Sequence, residues 1–341
     1  MKIKTLATLL FIAFACSIAS EAKITAMRGK VKNGYNFWLY EPDKKATQVK
    51  AETDSVAPCD SLTQAKSDTI CSQSCDTSIV NACDSIIKAT NDTTIIMPSD
   101  KKPLIIFLHG QSLCGTNLDR VMSYGTMAAI KGGRDLDAYV VAPQNPGGAW
   151  KPSKVADIMD WAINNCPIDT TRIYVLGMSL GGYGTIDFVA TYPQRVAAAM
   201  ALCGGGSVKD YSGLNSVPLW IIHGTADRAV GVGESRKVVN AMKKAGETPL
   251  LRYDEWAGVN HGRLARMFYI PETYEWLLRH SLLDAPRQVD KEIVITNQTL
   301  NNAYKGLKLS SSKKKSSKKK SSKKKSAKRK SSKRKKSSKK R

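Results

Sequence analysis

The sequence predicts an α/β fold in which helices cover both faces of a mostly parallel central sheet. From Pro103 onward, short apolar runs alternate with stretches of helical spacing, the order typical of strand–helix–strand units. The apolar runs lack polar alternation, so we expect strands that are buried on both faces. These strands are predicted at Leu104–Leu108, Tyr139–Ala142, Arg172–Leu176, Val196–Leu202, Leu219–Ile222 and Leu250–Tyr253.

Helical spacing predicts four helices between and after these strands. They are Ser153–Asn164, with Ser153 as its N-cap, Leu180–Thr191, Glu234–Ala245 and Tyr274–Leu283. Two earlier segments, Lys23–Val31 and Tyr35–Tyr40, alternate well enough to form strands. Because chemistry on such sheets lies at the carboxyl ends of the strands, residues that directly follow a strand are the first candidates for a site.

The net charge of +24 suggests a nucleic-acid binder until the charge is located along the chain. Residues 313–341 carry 19 Lys or Arg and no acid, which leaves only +5 for the rest of the chain. The segment 310–341 repeats Ser-Ser-Lys-Lys-Lys, and like charges at this density prevent a packed core. We therefore expect a disordered basic tail that binds anionic surfaces, glycans or nucleic acid without sequence specificity.

Residues 1–22 have the order of an export signal. Lys2 and Lys4 precede the apolar run Leu6–Ala15, which is too short to span a bilayer, and small residues follow it. The mature chain is therefore expected to be secreted, periplasmic or at the cell surface, with no transmembrane span once the signal is removed. Cys16 offers a lipoprotein attachment site as the second choice.

Residues 41–102 change in character, being rich in Thr, Ser, Asp and Lys and without aromatic residues. This composition predicts a low-complexity insertion between the strands of 23–40 and a catalytic core at 103–285, and residues 286–309 follow as an extension. Seven cysteines remain after the signal, so export permits disulfides and at least one thiol stays unpaired. The cysteines of the insertion have no zinc-site spacing, and no metal or other cofactor is expected.

The pentapeptide Gly177-Met178-Ser179-Leu180-Gly181 fits a nucleophile elbow. The chemistry requires a serine on a sharp turn between a strand and a helix, with its hydroxyl exposed above the sheet. Glycines two residues before and after the serine let neighbouring backbone approach without a clash. An apolar run precedes Ser179 and an amphipathic stretch follows it, which is the context that the motif requires.

A serine hydroxyl is a weak nucleophile and needs a general base. The chain order serine, acid, histidine leaves His261 and His280 as candidates for the base. His261 lies in a loop signature and is preferred to His280, which lies in a predicted helix. Asp227 follows a predicted strand and is expected to orient the imidazole of His261. The other candidate acids are Asp210, which precedes a strand, and Asp254, which ends one.

Two backbone N–H groups are expected to stabilise the oxyanion, those of Leu180 and Gln111. Gln111 follows His109-Gly110 after the first core strand, and for His109 itself we favour packing under this loop over a catalytic role. Trp150 ends a loop that follows another strand. Stacking on an acyl group or sugar and packing against its own loop are both open for this side chain.

The stretch from Pro103 to Leu283 resembles the α/β-hydrolase superfamily. It is most similar to secreted bacterial serine esterases of the prolyl-oligopeptidase-like, phospholipase/carboxylesterase-like and feruloyl-esterase-like branch. The matching segments are Ile105–Gly110, Ala142–Pro146, Gly177–Tyr183, His223–Asp227 and Val259–His261. Members of this branch often carry Val-Pro shortly after the acid, where this chain has Val230-Gly231.

The sequence therefore predicts a serine hydrolase that cleaves carboxylic esters, small or carried on a glycan, through an acyl-enzyme on Ser179. A serine peptidase of prolyl-oligopeptidase-like type is the runner-up, because the same residues cleave amides, although no propeller-sized domain is present to exclude large substrates. A third hypothesis is a polyanion-binding protein in which the tail acts and the hydrolase fold is incidental. The ordered set of nucleophile, acid and base favours an enzyme.

Overall fold

The computed structural model of the protein describes residues 21–43 and 101–309. Nearly all of the expected export signal, most of the expected insertion and the basic tail 310–341 lie outside the described residues. Within the part that is described, no helix is both long enough and apolar enough to cross a membrane.

Eight strands form one sheet, in the order β1-β2-β4-β3-β5-β6-β7-β8. The strands are β1 Lys23–Met27, β2 Phe37–Glu41, β3 Lys102–Leu108, β4 Tyr139–Pro143, β5 Ile168–Met178, β6 Ala198–Leu202, β7 Leu219–Gly224 and β8 Leu251–Trp256. β1 and β2 pair antiparallel, β2 pairs antiparallel with β4, and all the remaining pairs are parallel. The predicted fold class, an α/β-hydrolase with a mostly parallel sheet, is confirmed.

Helices cover both faces of this sheet. They are α1 Thr126–Lys131, α2 Pro152–Asn165, α3 Leu180–Thr191, α4 Gly233–Ala245, α5 His261–Leu264, α6 Pro271–Leu278 and α7 Asn297–Asn301. Side chains alternate along β3, so that Ile105 and Phe107 pack with α1 and α6, whereas Leu104 and Ile106 pack with α2, α3 and α4. The two apolar layers leave the carboxyl ends of the parallel strands on one edge, where the candidate residues lie.

Two helices begin at a proline rather than where the apolar spacing suggested. The predicted cap Ser153 is wrong, because Lys151 occupies the N-cap position and Pro152 is the first helical residue of α2. Pro271 opens α6 in the same way, and this helix ends at Leu278 instead of Leu283. Proline suits a first helical position because its fixed φ matches the helix and its missing N–H would have no partner there.

The strand that carries the nucleophile is longer than its apolar run. β5 begins at the buried Ile168, four residues before Arg172, and residues 169–172 that follow it are polar and at least partly exposed. At the other end of the sheet, β1 stops at Met27, so the chain leaves the sheet before Val31. Both differences lie near an edge or an end of the sheet. Strand residues there are partly exposed and can be polar, so an apolar run no longer marks where the strand begins or ends.

Candidate active site

The candidate nucleophile stands alone between a strand and a helix. β5 ends at Met178 and α3 begins at Leu180, so Ser179 makes the whole turn. Its φ is 59°, in the left-handed region that side chains other than glycine rarely adopt. The side chain is half-buried, which leaves a reactive hydroxyl accessible at the carboxyl edge of the sheet.

The two glycines of the elbow are required by close backbone contacts. A Cβ atom on Gly177 would lie 2.3 Å from the carbonyl oxygen of Gly181. A Cβ atom on Gly181 would lie 1.8 Å from the carbonyl oxygen of Leu108, at the end of β3. Larger residues at either position would push α3 away from the strands and displace Ser179.

Asp227, on the loop after β7, is buried and held at both carboxylate oxygens. Oδ1 accepts hydrogen bonds from the N–H groups of Ala229 at 2.8 Å and Val230 at 3.0 Å, and Oδ2 accepts one from Nδ1 of His261 at 2.6 Å. Burial acts to raise the pKa of Asp227, but the hydrogen bonds outweigh it and hold the pKa below its ordinary value. The carboxylate is therefore ionised and directed at the histidine.

His261 is the first residue of α5, and the side chain of Asn260 caps this helix. A Cβ atom on Gly224 would lie 2.1 Å from the carbonyl oxygen of Val259, so the loop before His261 packs directly on the end of β7. Because Nδ1 donates to Asp227, Nε2 is the nitrogen without a proton, and it has no hydrogen-bond partner among the described residues. The ring is thus oriented to accept a proton at Nε2.

A buried thiol lies beside the acid and the base. Sγ of Cys203 lies 3.4 Å from Nδ1 of His261, and the N–H of Ser179 donates at 2.9 Å to the carbonyl of Leu202, the residue before Cys203. Burial, followed by the charge of Asp227, raises the pKa of the Cys203 thiol well above its ordinary value, so the sulfur stays protonated. Cys203 has a φ of 38°, which turns the chain directly after β6. The predicted acid and base thus lie within 4.8 Å of this sulfur atom.

The two predicted oxyanion donors lie on segments that meet at the nucleophile. Gln111 opens a 3₁₀ turn and Leu180 opens α3, so neither N–H has an acceptor within its own helix. A Cβ atom on Gly110 would lie 3.5 Å from Cβ of Ser179, so the loop before Gln111 touches the elbow. Their role in binding an oxyanion remains a prediction.

His109 fastens the predicted oxyanion loop, residues 109–113, to the neighbouring 144–150 loop. Nδ1 donates to the carbonyl of Gly110 at 2.8 Å, and Nε2 accepts the N–H of Asn145 at 3.0 Å. Burial lowers the pKa of His109 to about 4, so the ring is neutral and can make both bonds. The amide of Gln144 adds a bond to the carbonyl of Leu113 at 2.7 Å. These contacts match the structural role favoured for His109.

Trp150, predicted as a possible substrate contact, is only 3% exposed. Its indole N–H donates to the carbonyl of His109 at 3.2 Å, and its ring packs edge-on against Tyr35 and His109. A Cβ atom on Gly184 of α3 would lie 2.6 Å from the indole. These contacts are those of a side chain that packs within the fold, the second of the two alternatives for Trp150.

The other candidate acids and base are engaged elsewhere. Asp210 is exposed and accepts the N–H of Ser212. Asp254 accepts from the indole of Trp220 at 2.7 Å. His280 is buried beyond the end of α6, where Nδ1 bonds the carbonyl of Trp276. None of the contacts of these three side chains reaches Ser179, Asp227 or His261.

Cys203 and His223 are site residues that the sequence analysis did not select. Each lies at or just after the carboxyl end of a central strand, which is the signal that could have found them. Cys203 and the acid–base pair are also the one group of potential metal ligands within 4.8 Å of one another among the described residues. Since Nδ1 of His261 and Oδ2 of Asp227 already bond each other, a metal there would have to break that bond.

The candidate nucleophile Ser179 and the hydrogen-bonded pair Asp227–His261 all lie at the carboxyl edge of the sheet. No protein-family model matches the chain. A segment of 86 residues, 25% of the chain, is 34% identical to acetylxylan esterase A of Emericella nidulans and covers 28% of that protein. A probable acetylxylan esterase A of Neosartorya fischeri is 31% identical over 86 residues and is covered to 23%. The chain thus spans about a quarter of the length of the curated relatives it matches.

Two solved structures also show similarity to parts of the chain. A thermostable esterase is 28% identical, with a TM-score of 0.45, over 55% of this chain and 57% of that chain. S-formylglutathione hydrolase (FrmB) of Staphylococcus aureus is 14% identical, with a TM-score of 0.43, over 75% of this chain and 98% of that chain.

Proposed function

We propose that the protein is a serine hydrolase that cleaves carboxylic esters through an acyl-enzyme on Ser179. The observation that carries the proposal is the 2.6 Å bond between Asp227 and Nδ1 of His261, at the same carboxyl edge of the sheet as Ser179, whose φ is 59°. This bond fixes the tautomer in which Nε2 of His261 is free to act as a base.

In the acylation step, Oγ of Ser179 attacks the ester carbonyl carbon while Nε2 of His261 takes the hydroxyl proton. The carbonyl oxygen gains a negative charge, which the N–H groups of Gln111 and Leu180 stabilise. When the C–O bond to the alcohol breaks, His261 returns its proton to the leaving oxygen. Asp227 stays ionised throughout and offsets the positive charge on the imidazole, in keeping with its lowered pKa.

In the deacylation step, water attacks the acyl carbon and His261 again takes a proton. The bond to Oγ of Ser179 breaks, the proton passes to that oxygen, and the carboxylic acid leaves. Every atom is supplied by the ester, water and the three side chains, so the cycle requires no cofactor.

We propose acetylated glycans as the substrates to test first. The curated relatives are named acetylxylan esterases, which supports an acetyl ester on a polysaccharide. A cleft of about 450 Å³ beside His261, bordered by Arg228, Asn260 and Gly262, is large enough to hold part of such a substrate.

The test is a panel of p-nitrophenyl esters, acetylated and feruloylated glycans and peptide amides. Wild type should hydrolyse one or more of the esters, and Ser179→Ala should reduce turnover by roughly 10⁶-fold. Ser153→Ala is the matched control, because Ser153 is exposed on α2 and far along the chain from the elbow. A fluorophosphonate probe should label Ser179 alone, as read by peptide mass mapping.

Three outcomes would change the proposal. Near-wild-type turnover in Ser179→Ala would end the serine mechanism. Cleavage of the peptide amides in preference to the esters would replace the esterase by the peptidase. Labelling at a serine other than Ser179 would move the nucleophile.

We also propose that the protein acts outside the cytoplasm and that its tail holds it on anionic material. The support is in the sequence: the charge–apolar–small order of residues 1–22 and the 19 basic residues of 313–341. A tail of this kind would keep the enzyme at an acidic glycan or membrane surface without choosing the ester.

A further inference from the structure

A second histidine approaches the acid, and the mechanism above gives it no role. His223 lies on β7, four residues before Asp227, and is fully buried. Its Nε2 is 3.7 Å from Oδ2 of Asp227, the same oxygen that bonds His261. The carboxylate therefore has one histidine in a hydrogen bond and another close by.

One ring nitrogen of His223 holds the loop that carries the acid. Nε2 is 2.9 Å from the carbonyl oxygen of Val230. Because a carbonyl oxygen only accepts, Nε2 must carry the proton and donate it. The N–H of the same Val230 donates to Oδ1 of Asp227 at 3.0 Å. Val230 is therefore held at both of its backbone polar groups: its carbonyl accepts from His223, and its N–H donates to Asp227.

The other ring nitrogen of His223 ties this loop to two neighbouring elements. Nδ1 is 2.8 Å from Oγ of Ser235 on α4, and that hydroxyl is also 2.8 Å from the carbonyl oxygen of Gly204. Burial lowers the pKa of His223, so the ring is neutral and Nδ1 shares the hydroxyl proton of Ser235 with Gly204. Gly204 directly follows Cys203, the residue that touches the base.

We propose that His223 is a positioning residue for the catalytic acid, whose Nε2–H holds Val230 so that Oδ2 of Asp227 faces Nδ1 of His261. The inference rests on the proposed function, because it assigns these roles to Asp227 and His261. Without the N–H donor, the carbonyl of Val230 loses its partner and the loop gains freedom. Asp227 then offsets less of the charge that forms on His261 in the transition state, so kcat falls while KM changes little.

Two polar substitutions separate the N–H donor from the bulk of the ring. The side-chain amide of His223→Gln reaches the place of Nε2 and can still donate to Val230. The amide of His223→Asn is one bond shorter and reaches only the place of Nδ1. His280→Asn is the matched control, because His280 is also a buried, doubly hydrogen-bonded histidine but does not touch the triad.

We expect His223→Gln to keep kcat within about threefold of wild type, and His223→Asn to lower kcat at least about tenfold at similar KM. His280→Asn should leave kcat unchanged per folded molecule. Proton NMR supplies the second measurement, since the Nδ1 proton of His261 in its short bond to Asp227 should resonate far downfield. This resonance should persist in His223→Gln and in the control, and shift or broaden in His223→Asn.

An unchanged kcat and an unchanged resonance in His223→Asn would overturn the proposal. Equal losses of kcat in the Gln and Asn variants would do the same, because the donated N–H would then not be the feature that matters. If wild type hydrolyses no ester at all, the proposed function fails, whereas the resonance still shows whether His223 positions Asp227.

Discussion

Burial of His109 makes the stability of the fold depend on pH. Its pKa is lowered from 6.5 to about 4, because the ring is fully buried between the oxyanion loop and the 144–150 loop. In the unfolded chain the ring takes up a proton near pH 6.5, whereas in the folded chain it does so only near pH 4. Stability is therefore unaffected above pH 6.5 and is lost as the pH falls from 6.5 towards 4.

The size of the loss follows from the shift. A shift of about 2.5 pH units, at 1.36 kcal/mol per unit, lowers the free energy of unfolding by about 3 kcal/mol at pH 4. His109→Gln removes the titrating group and keeps an acceptor for the N–H of Asn145. The free energy of unfolding of this variant should fall less steeply with acid than that of wild type.

The assay is urea unfolding, followed by tryptophan fluorescence, at steps between pH 7.5 and pH 4. The other titrating groups contribute equally to both proteins, so the difference between the two curves isolates His109. The difference should grow by about 3 kcal/mol between pH 6.5 and pH 4. Parallel curves would show that His109 titrates at its ordinary pKa, and the neutral ring inferred for the oxyanion loop would be refuted.

Three further predictions concern the acid and the two ends of the chain. Asp227→Asn should lower turnover by roughly 10⁴-fold, whereas Asp254→Asn should keep it; the reverse result would show that the acid is misassigned. The mature protein should begin after residue 19 or 22, and N-terminal sequencing that recovers Met1 from exported material would contradict this. Deleting 310–341 should leave turnover of a small neutral ester unchanged and weaken salt-dependent retention on heparin; loss of turnover would place the tail in the folded enzyme.

The bounds of an element are easiest to predict from the sequence where the element is buried on all sides, because a strand buried on both faces is a continuous apolar run. Leu180–Thr191 was predicted with the bounds that α3 has, and the run that ends β3 was found because every residue of Leu104–Leu108 is buried. An apolar run marks a strand less well where the strand is partly exposed. The polar residues 169–172 of β5, for example, stay in the strand because Ile168 and Ile173 on either side of them pair with β3, which no local pattern reveals.

The sequence predicts the candidate site residues from two features: their place directly after a strand, and the chain order of serine, acid and histidine. Ser179, Asp227 and His261 each have a local signature, whereas the contacts that hold them come from residues distant in sequence. Cys203 meets His261 across 58 positions, through the neighbouring places of β6 and β7 in the sheet. For Trp150 even the local signal is ambiguous. A tryptophan on a loop after a strand can line a cleft or pack in the core, and only its neighbours in the structure decide between the two.

The topology also shows where the predicted insertion joins the fold. β2 runs antiparallel to β4, so its last residue, Glu41, lies beside the first residues of β4, and β3 begins at Lys102 on the same edge. This is the amino edge of the parallel strands, whereas Ser179 lies at the carboxyl edge. β3 alone spans about 20 Å between the two edges.

One strand, β4, separates β2 from β3, so the two ends of the predicted insertion are about 10 Å apart. Residues added between them lengthen a single connection and interrupt none of the loops that carry the nucleophile, the acid, the base or the oxyanion donors.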